Sequence, residues 1–201
     1  MLKRVNADEL DRAVELLHKT WTEGRQILTC GNGGSALTAL HYLTDWNKMV
    51  YLSSGKPFRG RCLADNIGLI TAYANDVSYQ DIFIEQLKPL LEPGDLLVGI
   101  SGSGNSENVL RAIEYANEHD GVTLGICGFS GGKLREIARH SICSDVQDMQ
   151  LSEDLHMIFG HIVMQTLCSD GLAERRWDRS FHKSIDEPRV DERSSRREKV
   201  S

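Results

Sequence analysis

A run of small residues, Cys30-Gly31-Asn32-Gly33-Gly34-Ser35, follows the short apolar stretch Gln26-Ile27-Leu28-Thr29 and opens a helical pattern from Ala36 to Trp46. A strand that delivers a glycine turn onto a helix start leaves backbone N–H groups unpaired, with the positive end of the helix dipole behind them. Such a turn binds anions, phosphate foremost. Ser101-Gly102-Ser103-Gly104-Asn105-Ser106 repeats the arrangement after Leu96-Leu97-Val98-Gly99-Ile100. Two turns of this kind in one small domain constrain the chain far more than either alone.

The rest of the chain supplies the matching architecture. Leu10, Val14, Leu17 and Trp21 recur at three- and four-residue steps and predict an amphipathic helix over 7–23. After the first turn and its helix, the passage 48–61 contains Pro57 and two glycines and reads as a loop. A short strand over 61–64 and a helix over 66–74 follow, ended by a turn at Asn75-Asp76, with a further helix over 82–88. Pro93-Gly94-Asp95 is turn chemistry leading into the second clear strand. Beyond it come a helix over 106–119, a strand over 122–127, and a third glycine-rich turn, Gly128 to Lys133. A short helix over 134–139, a weaker strand over 141–146 and a last helix over 152–168 complete the series. Strands alternating with helices require a parallel sheet covered on both faces. The expectation is a three-layer α/β/α sandwich of about five strands over 1–170, with a charged, mobile tail over 171–201.

Composition narrows the function. The 201 residues suit one α/β domain with a substantial core. A formal charge of −6 excludes a general nucleic-acid binder, because neutralising phosphates needs a basic face. An anionic metabolite must then be held by local dipoles and hydroxyls. Five scattered cysteines with no CxxC pair read as buried, reduced thiols. No signal-peptide pattern or membrane-length apolar run is present, so a cytoplasmic protein is expected, without a membrane partner.

His41 and Asp45 lie four residues apart on the helix that leaves the first turn, hence on one face, a spacing suited to a metal chelate or an acid–base pair. The last helix offers Glu153, His156 and His161. Glu153 and His161 stand about 12 Å apart along such a helix, so one ion reaches both only if Glu153 leans in from the first turn. His156 falls among apolar positions and reads as a packed histidine. Ser35, Ser101, Ser103 and Ser106 can add hydroxyl donors to the backbone amides.

Together these motifs resemble the sugar isomerase (SIS) domain family, and within it the phosphoheptose isomerases. The resemblance rests on Gly31 to Ser35 followed by His41, on Ala74-Asn75-Asp76, on Ser101 to Ser106, on Gly131-Gly132-Lys133-Leu134, and on His156 with Gly160-His161. It implies a flavodoxin-like fold and a homotetramer with active sites between subunits. It also implies an aldose–ketose isomerase acting on sedoheptulose 7-phosphate and D-glycero-D-manno-heptose 7-phosphate through a cis-enediol. Asn32, Gly33, Gly34, Ser35, Asn75, Asp76, Ser101, Gly102, Ser103, Ser106 and Glu153 are then expected at the phosphosugar. His41, Asp45, Glu153 and His161 are expected at a zinc site, and Asp45 and His161 as the proton-transfer pair in either order. A carboxylate that ligates metal is a poorer base, so Asp45 cannot fill both roles at one moment.

The chain departs from the family pattern, and two of the departures, Asp45 and Glu153, fall around the sugar rather than the phosphate. Asp45 replaces Glu, Glu153 replaces Gln, Gly102 stands where Thr is usual, and Gln150-Leu151-Ser152-Glu153-Asp154 lacks the family's Arg-Ile-Gln-Glu. The first two changes keep metal-ligand chemistry and add an anionic ligand. Isomerisation of a pentose or hexose phosphate, or a non-catalytic phosphosugar-binding module, are the competing readings.

Overall fold

The computed structural model describes residues 6–169. The tail expected over 171–201 lies outside the described residues. Five parallel strands run β1 (Ile27–Gly31), β2 (Gly60–Cys62), β3 (Leu96–Ser101), β4 (Val122–Cys127) and β5 (His140–Cys143), in the order β2-β1-β3-β4-β5. The helices are α1 (Ala7–Thr22), α2 (Gly34–Asp45), α3 (Tyr51–Ser54), α4 (Ile67–Asp76), α5 (Ile84–Leu87), α6 (Glu107–Glu118), α7 (Gly132–Ile137) and α8 (Met149–Ser169). This is the expected three-layer α/β/α arrangement in flavodoxin-like order.

Alternation along the strands divides the core in two. Ile27, Leu96, Val98, Ile100, Leu124 and Ile126 face one way, onto α1, α2 and α8 through Leu17, Tyr42, Phe159 and Val163. Leu28, Cys30, Leu97 and Cys127 face the other way, onto Leu87, Val109, Ile113 and Leu134. Successive strand side chains point to opposite faces, so strands buried on both sides read as continuous apolar runs. On the second face Gly99 and Gly125 are register partners, and Val109 and Leu134 occupy the space their side chains would take. That lets α6 and α7 lie close to the sheet. All five cysteines are buried and free, as read from the sequence. No helix among the described residues is long and apolar enough to cross a membrane.

Three local expectations are corrected. Residues 48–54 are helical, because α2 passes through a π turn, Trp46–Val50, into α3 before Gly55 ends the run in the left-handed region. Asn47 holds that turn to β2: it donates to the Gly60 carbonyl at 3.1 Å and accepts from the Gly60 N–H at 3.0 Å. Asn75 and Asp76 form the last turn of α4 rather than a turn after it, and the helix closes with the Val77 N–H donating to the Tyr73 carbonyl. The helix expected over 82–88 is shortened to the single-turn α5, and a 3-10 turn, Tyr79–Asp81, comes before it.

Candidate active site

Both glycine turns leave the carboxyl ends of neighbouring strands, β1 and β3. Between them the connections diverge to opposite sides of the sheet, which is where open α/β sheets bind ligands. In the first turn Gly33 has φ 52° and ψ −120° as the residue before α2, a conformation costly for any residue with a Cβ. Ser35 is buried while Gly33 and Gly34 are exposed, so the backbone there faces solvent. The second turn is tied down from within and from the third. Ser101 and Ser106 hydroxyls pair at 3.0 Å, Ser103 Oγ accepts from the Asn105 N–H, and Asn105 Oδ1 accepts from the Lys133 N–H. Ser106 precedes α6 without capping it through its side chain, because its hydroxyl is engaged by Ser101. Gly104, at φ 69°, packs directly on the Gly131 carbonyl. The third glycine turn is thus a buttress for the second.

At the other end of α2, His41 Nε2 lies 3.0 Å from His161 Nε2 and 3.3 Å from Asp45 Oδ2, and His161 Nε2 lies 3.7 Å from that same oxygen. The three side chains are partly exposed, at 42%, 44% and 25% for His41, His161 and Asp45. Their neighbours explain the meeting. Tyr42 and Trp46 sit one position beyond His41 and Asp45 and turn inward: the Tyr42 hydroxyl donates to the His156 carbonyl, and Trp46 Nε1 donates to the Gly160 carbonyl at 3.0 Å. Gly160 gives the Tyr42 ring its space, since an added Cβ would collide with it. An interior helical glycine costs about 1 kcal/mol; here it brings α8 onto α2 and sets His161 opposite Asp45.

His41, Asp45 and His161 are the group of potential metal ligands among the described residues. Ligand atoms bound at about 2.0–2.1 Å in a tetrahedron lie about 3.3 Å apart, and the three separations bracket that value. The donor set therefore fits a divalent ion. Glu153, expected as a further ligand, is not in the group. Its carboxylate stands over the start of α2, where Oε1 is 2.7 Å from the position of a Cβ built on Gly34. The reason is pitch: Glu153 is two turns of α8 away from His161 and inside a regular helix, not a frayed turn.

Asn32 lies between the turns. Its Nδ2 donates to Asn108 Oδ1 at 2.8 Å, and its Oδ1 accepts from Asn108 Nδ2 and from the Tyr79 hydroxyl, both at 2.9 Å. Asn108 and Tyr79 were missed by sequence reasoning. The available signal was an amide at Asn108, one turn before Ala112 on the apolar face of α6. Asn75 and Asp76 pair with each other at 2.7 Å on the exposed end of α4. His156 is packed, as expected: 3% exposed, with neither ring nitrogen in a hydrogen bond.

A five-stranded parallel sheet with glycine turns at two adjacent strand ends and an imidazole–carboxylate cluster on α2 and α8 suits an enzyme of phosphorylated metabolites. Residues 1–128 match the SIS domain family, and the chain belongs to it. The chain is similar to the phosphoheptose isomerase of Aliarcobacter butzleri, 33% identical over 160 residues that cover 80% of this chain and 84% of that one. It is 38% identical to the Rhodospirillum rubrum phosphoheptose isomerase over 152 residues, 73% of this chain and 79% of that one. The solved phosphoheptose isomerase GmhA of Neisseria gonorrhoeae superimposes with a TM-score of 0.74 at 28% identity, covering 81% of this chain and 86% of its own.

Proposed function

We propose that the chain is a phosphoheptose isomerase that interconverts D-sedoheptulose 7-phosphate and D-glycero-D-manno-heptose 7-phosphate. The observation that carries this reading is the meeting of His41, Asp45 and His161 from two helices, on a fold whose paired turns suit a phosphate. The phosphate is held by backbone amides and by Ser35, Ser101, Ser103 and Ser106, with Gly33, Gly34 and Gly102 giving the backbone close access. Asn32, Asn75, Asp76 and Glu153 face the sugar.

The chemistry needs one proton moved between adjacent carbons. Asp45 takes the proton from the carbon next to the carbonyl, and His161 gives a proton to the carbonyl oxygen, yielding the cis-enediol. Return of the proton to the former carbonyl carbon, with loss of the hydroxyl proton from the oxygen of the carbon first deprotonated, leaves the new carbonyl there and completes the exchange with no net change in atoms or electrons. The same three side chains would alternatively hold a zinc ion, with Asp45 then serving as ligand and not as base; such an ion would polarise the sugar carbonyl and stabilise developing negative charge on oxygen. Chains are read as assembling into a homotetramer in the cytoplasm, supported by exposed apolar side chains at Leu37, Tyr51, Leu52 and Ile67.

The test is incubation with a panel of C5 to C7 ketose phosphates, followed by NMR. Aldose signals should appear with sedoheptulose 7-phosphate. Turnover of a pentose or hexose phosphate instead would replace the sugar, and binding without turnover of any would make the chain a phosphosugar-binding module.

A further inference from the structure

We propose that Asn108 and Tyr79 are positioning residues, which set the first glycine turn for the phosphosugar by saturating the carbonyl oxygen of Asn32. The inference rests on the reading above for the identity of the sugar, but not for the geometry of the turns.

A primary amide offers two N–H donors and an oxygen with two lone pairs. In Asn32 both lone pairs are filled, one by Asn108 Nδ2 and one by the Tyr79 hydroxyl, and one N–H is given to Asn108 Oδ1. A single side-chain donor is left to meet a ligand. Asn32 can therefore donate to a sugar or phosphate oxygen and cannot accept from a sugar hydroxyl.

The partners also join the two turns mechanically. Asn108 is 2% exposed in the first turn of α6, the helix that leaves the second glycine turn, and its Oδ1 also accepts from the Val109 N–H at 3.0 Å. The reciprocal amide pair thus clamps the first turn to the helix carrying the second. Tyr79 closes the arrangement from outside, with its side chain 52% exposed. Its segment is anchored independently: Ser78 donates to Asp81 at 2.5 Å, and Arg111 of α6 pairs with Asp81 at 2.8 Å. The Ser78 hydroxyl and the Arg111 guanidinium hold the Asp81 carboxyl below the usual carboxylate range, so this anchor stays ionised at neutral pH. Removing the Tyr79 hydroxyl therefore frees Asn32 without releasing the segment.

The experiment compares wild type, Tyr79→Phe, Asn108→Asp and Asn32→Ala, and the double variant Asn32→Ala/Tyr79→Phe. Asn108→Asp keeps the shape and the acceptor toward α6 but loses the donor to Asn32. Dissociation constants for inorganic phosphate and for sedoheptulose 7-phosphate come from calorimetry, and KM and kcat from NMR. Loss of one hydrogen bond predicts that Tyr79→Phe weakens binding and raises KM about fivefold, with kcat within about twofold and the melting temperature within about 2 °C of wild type. Asn108→Asp weakens both ligands about tenfold or more. In the Asn32→Ala background Tyr79→Phe should have no further effect. The proposal is overturned if Tyr79→Phe binds both ligands as wild type does, or if its effect is undiminished without Asn32. Wild type binding phosphate but not sedoheptulose 7-phosphate would sink the isomerase assignment, while the phosphate measurements still decide the roles of Asn108 and Tyr79. Binding of neither ligand by wild type would overturn both.

Discussion

On the proposed function, Asp45 is the residue on which the chemistry turns. It shares a helix face with His41 and reaches His161 across the α2–α8 contact, so one carboxylate oxygen touches both imidazoles. Replacing it by Asn preserves size and removes both basicity and anionic charge. Asp45→Asn should lower conversion of sedoheptulose 7-phosphate by a factor of about 10² or more, the usual scale of a lost acid–base group. Phosphosugar affinity should change by less than about threefold, because the proposed phosphate contacts lie at the glycine turns. Turnover followed by NMR beside calorimetric affinity checks this; full activity in the variant would move the base elsewhere. Glu153 makes the contrasting case. Residue type made it a credible ligand, yet its carboxylate lies beside Gly34, so in this chain its charge bears on the first turn.

At the scale of elements, α8 carries opposing demands. Leu155, Phe159, Val163 and Leu167 pack its core face, Gly160 admits Tyr42, and His156 lies buried among them. His156 borders a cavity of about 290 Å³ lined by Leu10, Ile126, Ile142, Leu155 and Phe159, and neither of its ring nitrogens is hydrogen-bonded. Burial pushes its pKa down, and the Cys127 backbone, near enough to favour the charged form but outside hydrogen-bonding geometry, opposes this weakly. The folded chain then binds fewer protons than the unfolded one just below an ordinary histidine pKa of about 6.5, so stability rises with pH there. The stability is present above about pH 6.5 and is lost as pH falls toward the depressed value. His156→Met should raise stability at pH 7.5 by about 1 kcal/mol, since it removes unpaired buried nitrogens. It should also flatten the decline in melting temperature between pH 7 and 5. An unchanged slope in scanning calorimetry would refute the account. The helices themselves were legible where an apolar stripe, a cap or a glycine stop fixed them, as with α1, α6 and α8. The passage 48–54 was not, because Pro57 and its glycines drew the boundary too early, whereas Asn47 pairs with Gly60 thirteen residues on and keeps the chain helical.

For the whole molecule, the order of strands brings the first and last described helices together over one sheet face, with α1, α2 and α8 sharing a core. The glycine turns and the His–Asp spacing were visible as local patterns, because each depends on residues within a turn or two. The Asn32–Asn108 pair spans 76 positions, and no local pattern encodes such a partnership. The proposed metal site has the same long-range character, since His41 and Asp45 come from α2 and His161 from α8, 120 positions after His41. An ion held by all three would bind the folded chain in preference to the unfolded one, so it would stabilise by mass action. Zinc at a hundred times its dissociation constant should add about 2.7 kcal/mol, and at roughly 2–4 °C per kcal/mol for a chain of this size the melting temperature should rise by roughly 5–10 °C. His161→Ala should lose more than half of that rise and bind zinc more weakly in equilibrium dialysis, because two ligands one helical turn apart remain without their cross-helix partner. Unfolded cysteines also bind zinc and reduce the shift, so dialysis of the folded protein is the deciding measurement. Equal zinc affinity in wild type and His161→Ala would remove His161 from the proposed metal site.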